Sequence, residues 1–138
     1  MLFDKLKCQL IADQLLYLRY EREGRGENGT VDCFGLIVLF FRRLGIEIAD
    51  YSGVENWGKR EGEYLDHYAG MSRLLAADEN PGPGDIVLFE NTEDGLHAGV
   101  IIGDGLFLHV YKKIGAKIDR LNSRQWKKTA RKFYRLTQ

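Results

Sequence analysis

Three side chains have the types to perform nucleophilic chemistry together: Cys33, His97 and His109. Cys33 stands in Thr30-Val31-Asp32-Cys33-Phe34-Gly35-Leu36-Ile37-Val38-Leu39-Phe40-Phe41-Arg42-Arg43-Leu44-Gly45. Thr30 and Asp32 are helix-capping types, Leu36, Ile37, Phe40, Phe41 and Leu44 recur at helical spacing, and Gly45 falls where a left-handed C-cap belongs. Cys33 is thereby predicted in the first turn of a short buried helix, where free backbone N–H groups and the helix dipole favour a thiolate. A cysteine beside an apolar helix is more often a small core residue, so its position alone makes Cys33 a candidate nucleophile and no more.

About sixty residues on, His97-Ala98-Gly99-Val100-Ile101-Ile102-Gly103-Asp104-Gly105-Leu106-Phe107-Leu108-His109 offers two strand-like segments around a turn. A thiol nucleophile needs a base that also protonates the leaving amine, and that base needs a third group to fix its ring. His97 and His109 fill those roles if they share a sheet face, and strand parity decides this. A regular two-residue turn at Asp104-Gly105 would pair Gly103 with Leu106 and put the imidazoles on opposite faces. An odd loop, or a bulge, would set Gly99 opposite His109 and make His97 its same-face diagonal neighbour.

The elements that must position these groups follow from periodicity. Residues 2–20 read as an amphipathic helix bent near Asp13, and 21–29 as a glycine-punctuated loop delivering the chain to the cysteine helix. Tyr17 and Tyr20 both precede that loop closely enough for one phenol to return over the helix start. Residues 46–77 are mixed, with short helical possibilities near 61–76; His67 lies here without a motif and reads as a surface histidine. Pro81-Gly82-Pro83-Gly84 is a strong turn before a strand at 85–89. Strands at 97–102 and 106–111 follow, with a short one at 115–118, a helical turn capped by Asn122, and a weakly alternating edge strand at 131–136. Helices first and strands after give an α+β fold with an antiparallel sheet. The length, 138 residues, fits one domain spanning 1–138.

Twenty basic and twenty acidic residues cancel, yet 21–94 holds sixteen acids against seven bases and 112–138 holds ten bases against one acid. The basic stretch suits an anionic polymer or the chain's own acidic segment. Neither a helix-turn-helix nor an aromatic-interleaved pattern supports nucleic acid as a partner. Cys8 and Cys33 form no metal or disulfide spacing. The charged start, Met1 to Asp13, has no signal-peptide core, and no apolar run reaches the ~20 residues of a membrane span, so the expectation is a chain made without an export signal and without a membrane partner.

Taken in order, Asp32-Cys33-Phe34-Gly35-Leu36, Leu44-Gly45-Ile46, Pro83-Gly84-Asp85-Ile86-Val87-Leu88-Phe89, His97 to Gly105 and Leu108-His109 resemble the successive signature segments of the NlpC family of cell-wall cysteine peptidases (NlpC/p-sixty). With Asp50-Tyr51, the pattern is most similar to members carried by tailed phages and prophages as tail-associated hydrolases. The resemblance implies a papain-like α+β fold, the cysteine helix packed on the sheet that bears the histidines. It implies Cys33 as nucleophile, His97 as base, His109 as third polar residue, and Tyr20 as the tyrosine over the nucleophile, with no metal or cofactor. The implied substrate is a peptidoglycan stem peptide, typically cut beside a D-glutamyl residue and a diamino acid. The implied place of action is the cell wall, with tail proteins as partners that supply targeting. Glu21 to Gly26 is more charged than the family's segment, which keeps Tyr17 eligible beside Tyr20. Ala49 replaces a common proline, and Val110 a common small residue. Two other readings stay open: a tail-assembly component with a vestigial site, and a thiol amidase or acyltransferase on the same fold.

Overall fold

The computed structural model describes residues 1–48, 72–92 and 95–137. Helix α1 (Lys5–Leu15) begins where Asp4 accepts a hydrogen bond from Lys7 N at 2.8 Å, and it buries Cys8, Ile11, Ala12 and Leu15. It is shorter than the expected 2–20 helix because both ends are drawn into other pairings. Phe3 N donates to Pro83 O at 3.0 Å, and Leu18 O accepts from Ala116 N at 3.0 Å. The chain then forms strand β1 (Arg19–Tyr20), a loop, and strand β2 (Thr30–Val31), paired parallel with Tyr20 beside Val31.

Helix α2 (Cys33–Arg43) buries Phe34 to Val38, Phe40 and Phe41. Each large side chain so buried stabilises the fold by ~1.5–3 kcal/mol. Its end follows from Gly45 at φ +83°, with Gly45 N on Arg42 O and Ile46 N on Phe41 O, both 2.9 Å. That pair of bonds satisfies the last carbonyls in a Schellman arrangement, as the glycine position predicts.

The six-stranded sheet comprises β3 (Ser72–Leu74), β4 (Ile86–Thr92), β5 (Gly95–Gly103), β6 (Leu106–Tyr111), β7 (Gly115–Arg120) and β8 (Arg131–Leu136), in the order β3-β8-β4-β5-β6-β7. All its pairings are antiparallel. Three local expectations are corrected. Ser72–Leu74 is a strand rather than part of a helix, because β8 offers it a partner from Tyr134 to Leu136. For the same reason β8 is interior, not an edge. It is also tied to β4 by Arg135, whose guanidinium meets the fully buried Asp85 carboxylate at 3.0 and 2.8 Å. Residues after Asn122 make successive turns without closing a helix. The expectations for Asp50, Tyr51, His67 and the 61–71 helix lie outside the described residues.

Alternation along the strands builds two apolar layers. Leu88, Ala98, Val100, Ile102, Leu108 and Val110 face α1 and α2, while Val87, Phe89, Ile101 and Phe107 face Leu121 and Trp126 on the other side. The turn between β5 and β6 resolves the parity question. Asp104 (φ +56°) and Gly105 (φ +72°) form a two-residue turn, and Gly103 pairs with Leu106. Ile101 nevertheless pairs with Phe107, so Ile102 is an extra residue in a bulge. The bulge restores the parity that a regular two-residue hairpin would break.

Candidate active site

His97 on β5 and His109 on β6 therefore project from the same face. Their rings meet at 2.8 Å, His97 Nε2 to His109 Nδ1. The chain of contacts continues: His109 Nε2 lies 2.7 Å from Asp119 Oδ2 on β7, and the Trp126 indole N–H donates to the same oxygen at 3.3 Å. Lys117 Nζ stands 3.3 Å from Asp119 Oδ1. His109 is fully buried, and that burial holds its imidazole below the ordinary range despite the neighbouring carboxylate. The His109 hydrogen bond in turn pulls the Asp119 carboxyl down to about 2, so it is ionised at neutral pH. His97 is half-buried and stacks against Phe89, Tyr111 and Trp126, with ring centroids 6.0, 6.0 and 5.4 Å away. These rings restrict rotation of the imidazole.

Cys33 opens α2, directly after the Asp32 cap. Asp32 Oδ1 accepts from Gly35 N at 2.7 Å and from Arg25 Nη1 at 3.0 Å, while Oδ2 accepts from Glu23 N at 3.0 Å. One carboxylate thus caps the start of the helix and holds the 21–29 loop against it. Gly35 permits this approach: a Cβ there would lie 2.0 Å from Gly24 O. The Asp-Cys-aromatic-Gly pattern is the local code for a cysteine at a capped helix start with a loop pressed onto it.

Cys33 and the imidazoles are brought to one end of the sheet. Leu18 O is bonded by Ala116 N at the start of β7, and Lys112 Nζ sits 5.8 Å above the Tyr20 ring. These contacts fix β1, β2 and the start of α2 beside the β6–β7 turn. Tyr111 pairs with Gly115 at that turn, and His97 stacks on Tyr111. Tyr20 is half-buried and close enough to Cys33 to feel charge there. Burial pushes its phenol up, with Cys33 and Asp32 adding and Lys112 opposing, so the hydroxyl keeps its proton.

Of the residues singled out in the sequence, His97 and His109 touch, and Cys33 and Tyr20 neighbour each other across the helix start. Tyr17 is 61% exposed and lies over Gly29 instead. Cys8 is fully buried on the inner face of α1, where desolvation pushes its thiol up to about 11. Sequence reading missed Asp119 and Trp126. One signal pointed to Asp119: it is the sole acid among the ten bases of 112–138. Two residues more of β7 than expected carry it onto the histidine face. Among the described residues no group of histidine, cysteine and carboxylate side chains is arranged to hold a metal ion, and no helix is long and apolar enough to cross a membrane.

Comparison with known proteins gives the chain's family and fold. The chain is 30% identical over 112 residues to the murein DD-endopeptidase MepS/murein LD-carboxypeptidase of Escherichia coli K12, covering 80% of this chain and 52% of that protein. It is 26% identical over 114 residues to tail tip assembly protein K of Escherichia phage lambda, covering 80% of this chain and 56% of that protein. The chain spans about half the length of these curated relatives. A Staphylococcus aureus protein of the NLP/P60 family, described as similar to lipoprotein, superposes with a TM-score of 0.64 at 23% identity, over 96% of this chain and 42% of that one. The papain-like α+β arrangement, helices on an antiparallel sheet, is thus shared. The family model described as NlpC/P60 matches residues 18–135, and the chain belongs to the NlpC/P60 family.

Proposed function

We propose that this chain is a thiol endopeptidase of peptidoglycan stem peptides, with Cys33 as nucleophile, His97 as base and acid, and His109 as the group that orients His97. The observation that carries the reading is the 2.8 Å contact between the imidazoles, at the end of the sheet where α2 begins with Cys33. A pure binding module has no need of an imidazole pair held this tightly by hydrogen bonds and stacked rings. In the reaction, Cys33 Sγ attacks the scissile carbonyl carbon as its proton passes to His97. The oxyanion meets the Cys33 backbone N–H, at the first position of α2, and the Tyr20 hydroxyl, which keeps its proton. Collapse breaks the C–N bond, and His97 gives its proton to the departing amine. Water, deprotonated by His97, then hydrolyses the thioester, releasing the new carboxylate and restoring the thiol.

The murein endopeptidase relative supports the substrate class. The lambda tail relative supports a place of action at a phage or prophage tail, with tail proteins as partners. The test is digestion of stem-peptide-bearing peptidoglycan fragments by purified protein. New amine ends should appear with wild type and disappear with Cys33→Ala, and chelator should change neither result. The product masses separate an endopeptidase from an amidase. Absence of cleavage across wall types would reject the reading in favour of a structural tail component.

A further inference from the structure

The relay does not stop at the second histidine. A buried neutral imidazole bonded at both nitrogens has one donor and one acceptor, and what lies at one end dictates the other. At His109 one end is Asp119 Oδ2, 2.7 Å from Nε2, and an ionised carboxylate only accepts. His109 Nε2 must carry its proton. Its Nδ1 then holds a lone pair, and the 2.8 Å contact requires His97 Nε2 to donate. That leaves the lone pair of neutral His97 on Nδ1, the one ring nitrogen not committed to His109. Without the carboxylate the opposite arrangement is equally well bonded: His109 Nδ1–H donating to His97 Nε2, with the proton on His97 Nδ1. In that tautomer His97 has no basic nitrogen to offer a thiol.

We propose that Asp119 is a positioning residue that acts through His109 to set the tautomer of His97, placing the proton on Nε2 and the basic lone pair on Nδ1. This rests on the reading of His97 as the base for Cys33. Asp119 is itself braced: the Trp126 N–H donates to Oδ2 at 3.3 Å and Lys117 Nζ lies 3.3 Å from Oδ1. Among the described residues, groups packed on the imidazole pair include Phe89 on β4, Phe107 and Tyr111 on β6, Lys117 and Asp119 on β7, and Trp126 in the following turns. Asp119 is the carboxylate bonded to the pair. When His97 takes the Cys33 proton, the imidazolium keeps Nε2–H on His109 Nδ1, and the charge is balanced through His109 by Asp119, which takes no proton.

The chain has three histidines, so ¹⁵N-histidine labelling with long-range ¹H–¹⁵N spectra at neutral pH reads each tautomer, with His67→Gln assigning the third. In wild type both His97 and His109 should be protonated at Nε2. In Asp119→Ala, and in Asp119→Leu, which refills the space, His109 and His97 should shift toward Nδ1–H. Iodoacetamide labelling of Cys33 at pH 7 should then slow by at least about tenfold, with partial recovery in Asp119→Glu. A wild type with His97 protonated at Nδ1 overturns the proposal without recourse to a variant. So do Asp119 variants that keep the wild-type tautomers and label within about twofold of the wild-type rate. Both readouts are independent of substrate. Failure of the peptidase reading shows as wild type that cuts no stem peptide, and failure of this inference shows as unmoved tautomers in protein that does cut.

Discussion

Replacing Gly35 by alanine tests the packing that presents Cys33. The new Cβ would sit 2.0 Å from Gly24 O, where an ordinary contact is 3.4 Å or more, so the loop must retreat by more than an ångström. Gly24 is itself packed closely on β2, since a Cβ added there would lie 2.7 Å from Thr30 O and 2.8 Å from Val31 Cα. The retreat pulls Glu23 N and Arg25 off Asp32 and disturbs the Asp32 bond to Gly35 N. Overpacking costs ~1–3 kcal/mol, the helix cap ~1 kcal/mol, and two further hydrogen bonds ~1 kcal/mol each. Since these losses overlap, the expected destabilisation is ~3–5 kcal/mol, or about 10–20 °C in Tm for a chain of this size. Gly45→Ala is the control: it meets nothing within 4 Å and suffers only the strain of φ +83°, ~1–2 kcal/mol. Thermal melts followed by circular dichroism should rank Gly35→Ala far below Gly45→Ala. Equal melting temperatures for the two variants would refute the argument that Gly35 exists to admit the loop.

Other consequences follow from the same contacts. Asp85→Ala takes the bidentate partner from the largely buried Arg135 guanidinium, leaving it Glu79 at 3.9 Å and Asn80 O at 3.3 Å, and should cost ~2–4 kcal/mol by urea denaturation, whereas Asp85→Leu with Arg135→Met should recover much of it; no recovery would mean the pair is not the cause. Iodoacetamide at neutral pH should label Cys33 well before Cys8, whose thiol is pushed up to about 11 by burial; faster labelling of Cys8 would contradict an activated Cys33. Acid should destabilise the fold in two stages. His109 has a lowered pKa in the folded chain, so the unfolded chain binds its proton first and stability falls as the pH drops below 6.5. Asp119 has a lowered pKa as well, so its contribution is present above the ordinary 3.8 and is lost as the pH falls toward about 2. His109→Gln should flatten the first stage in urea midpoints measured from pH 7 to 5. An unchanged slope would remove His109 as its source.

Much of this site is legible in the amino-acid sequence, because the signals are local. Asp32, Cys33 and Gly45 each have a role that residue type and spacing reveal: a cap, a first-turn thiol and a left-handed turn; the close approach at Gly35 shows only once the 21–29 loop is packed on the helix. The histidine pairing is legible only as a condition, since a two-residue turn with a bulge and a three-residue loop give the same parity. Here Gly103 at φ +98°, ahead of the turn, supports the bulge. What stays hidden depends on distant partners. Nothing near Arg131 to Leu136 announces that Ser72–Leu74 will cover its outer side, so an interior strand reads as an edge. Asp119 likewise looks like one more surface charge until β6 and β7 are in register and His109 is buried against it. The turn after Asn122 closes one helical bond, Lys127 N on Ser123 O at 2.9 Å, and goes no further; Leu121 N on Gly105 O and the Trp126 indole on Asp119 tie its two ends to the sheet.

The central claim, that Cys33 performs covalent catalysis with the histidine pair, is tested most directly by trapping the intermediate. Wild type mixed with a stem peptide, acid-quenched on the millisecond to second scale and read by intact and peptide mass, should carry the acyl fragment as a thioester on the peptide containing Cys33. Its amount should rise and decay with turnover, and His97→Ala should show neither adduct nor product. Product formed with no adduct at any time and undiminished by Cys33→Ala, or an adduct on Cys8, would contradict the account.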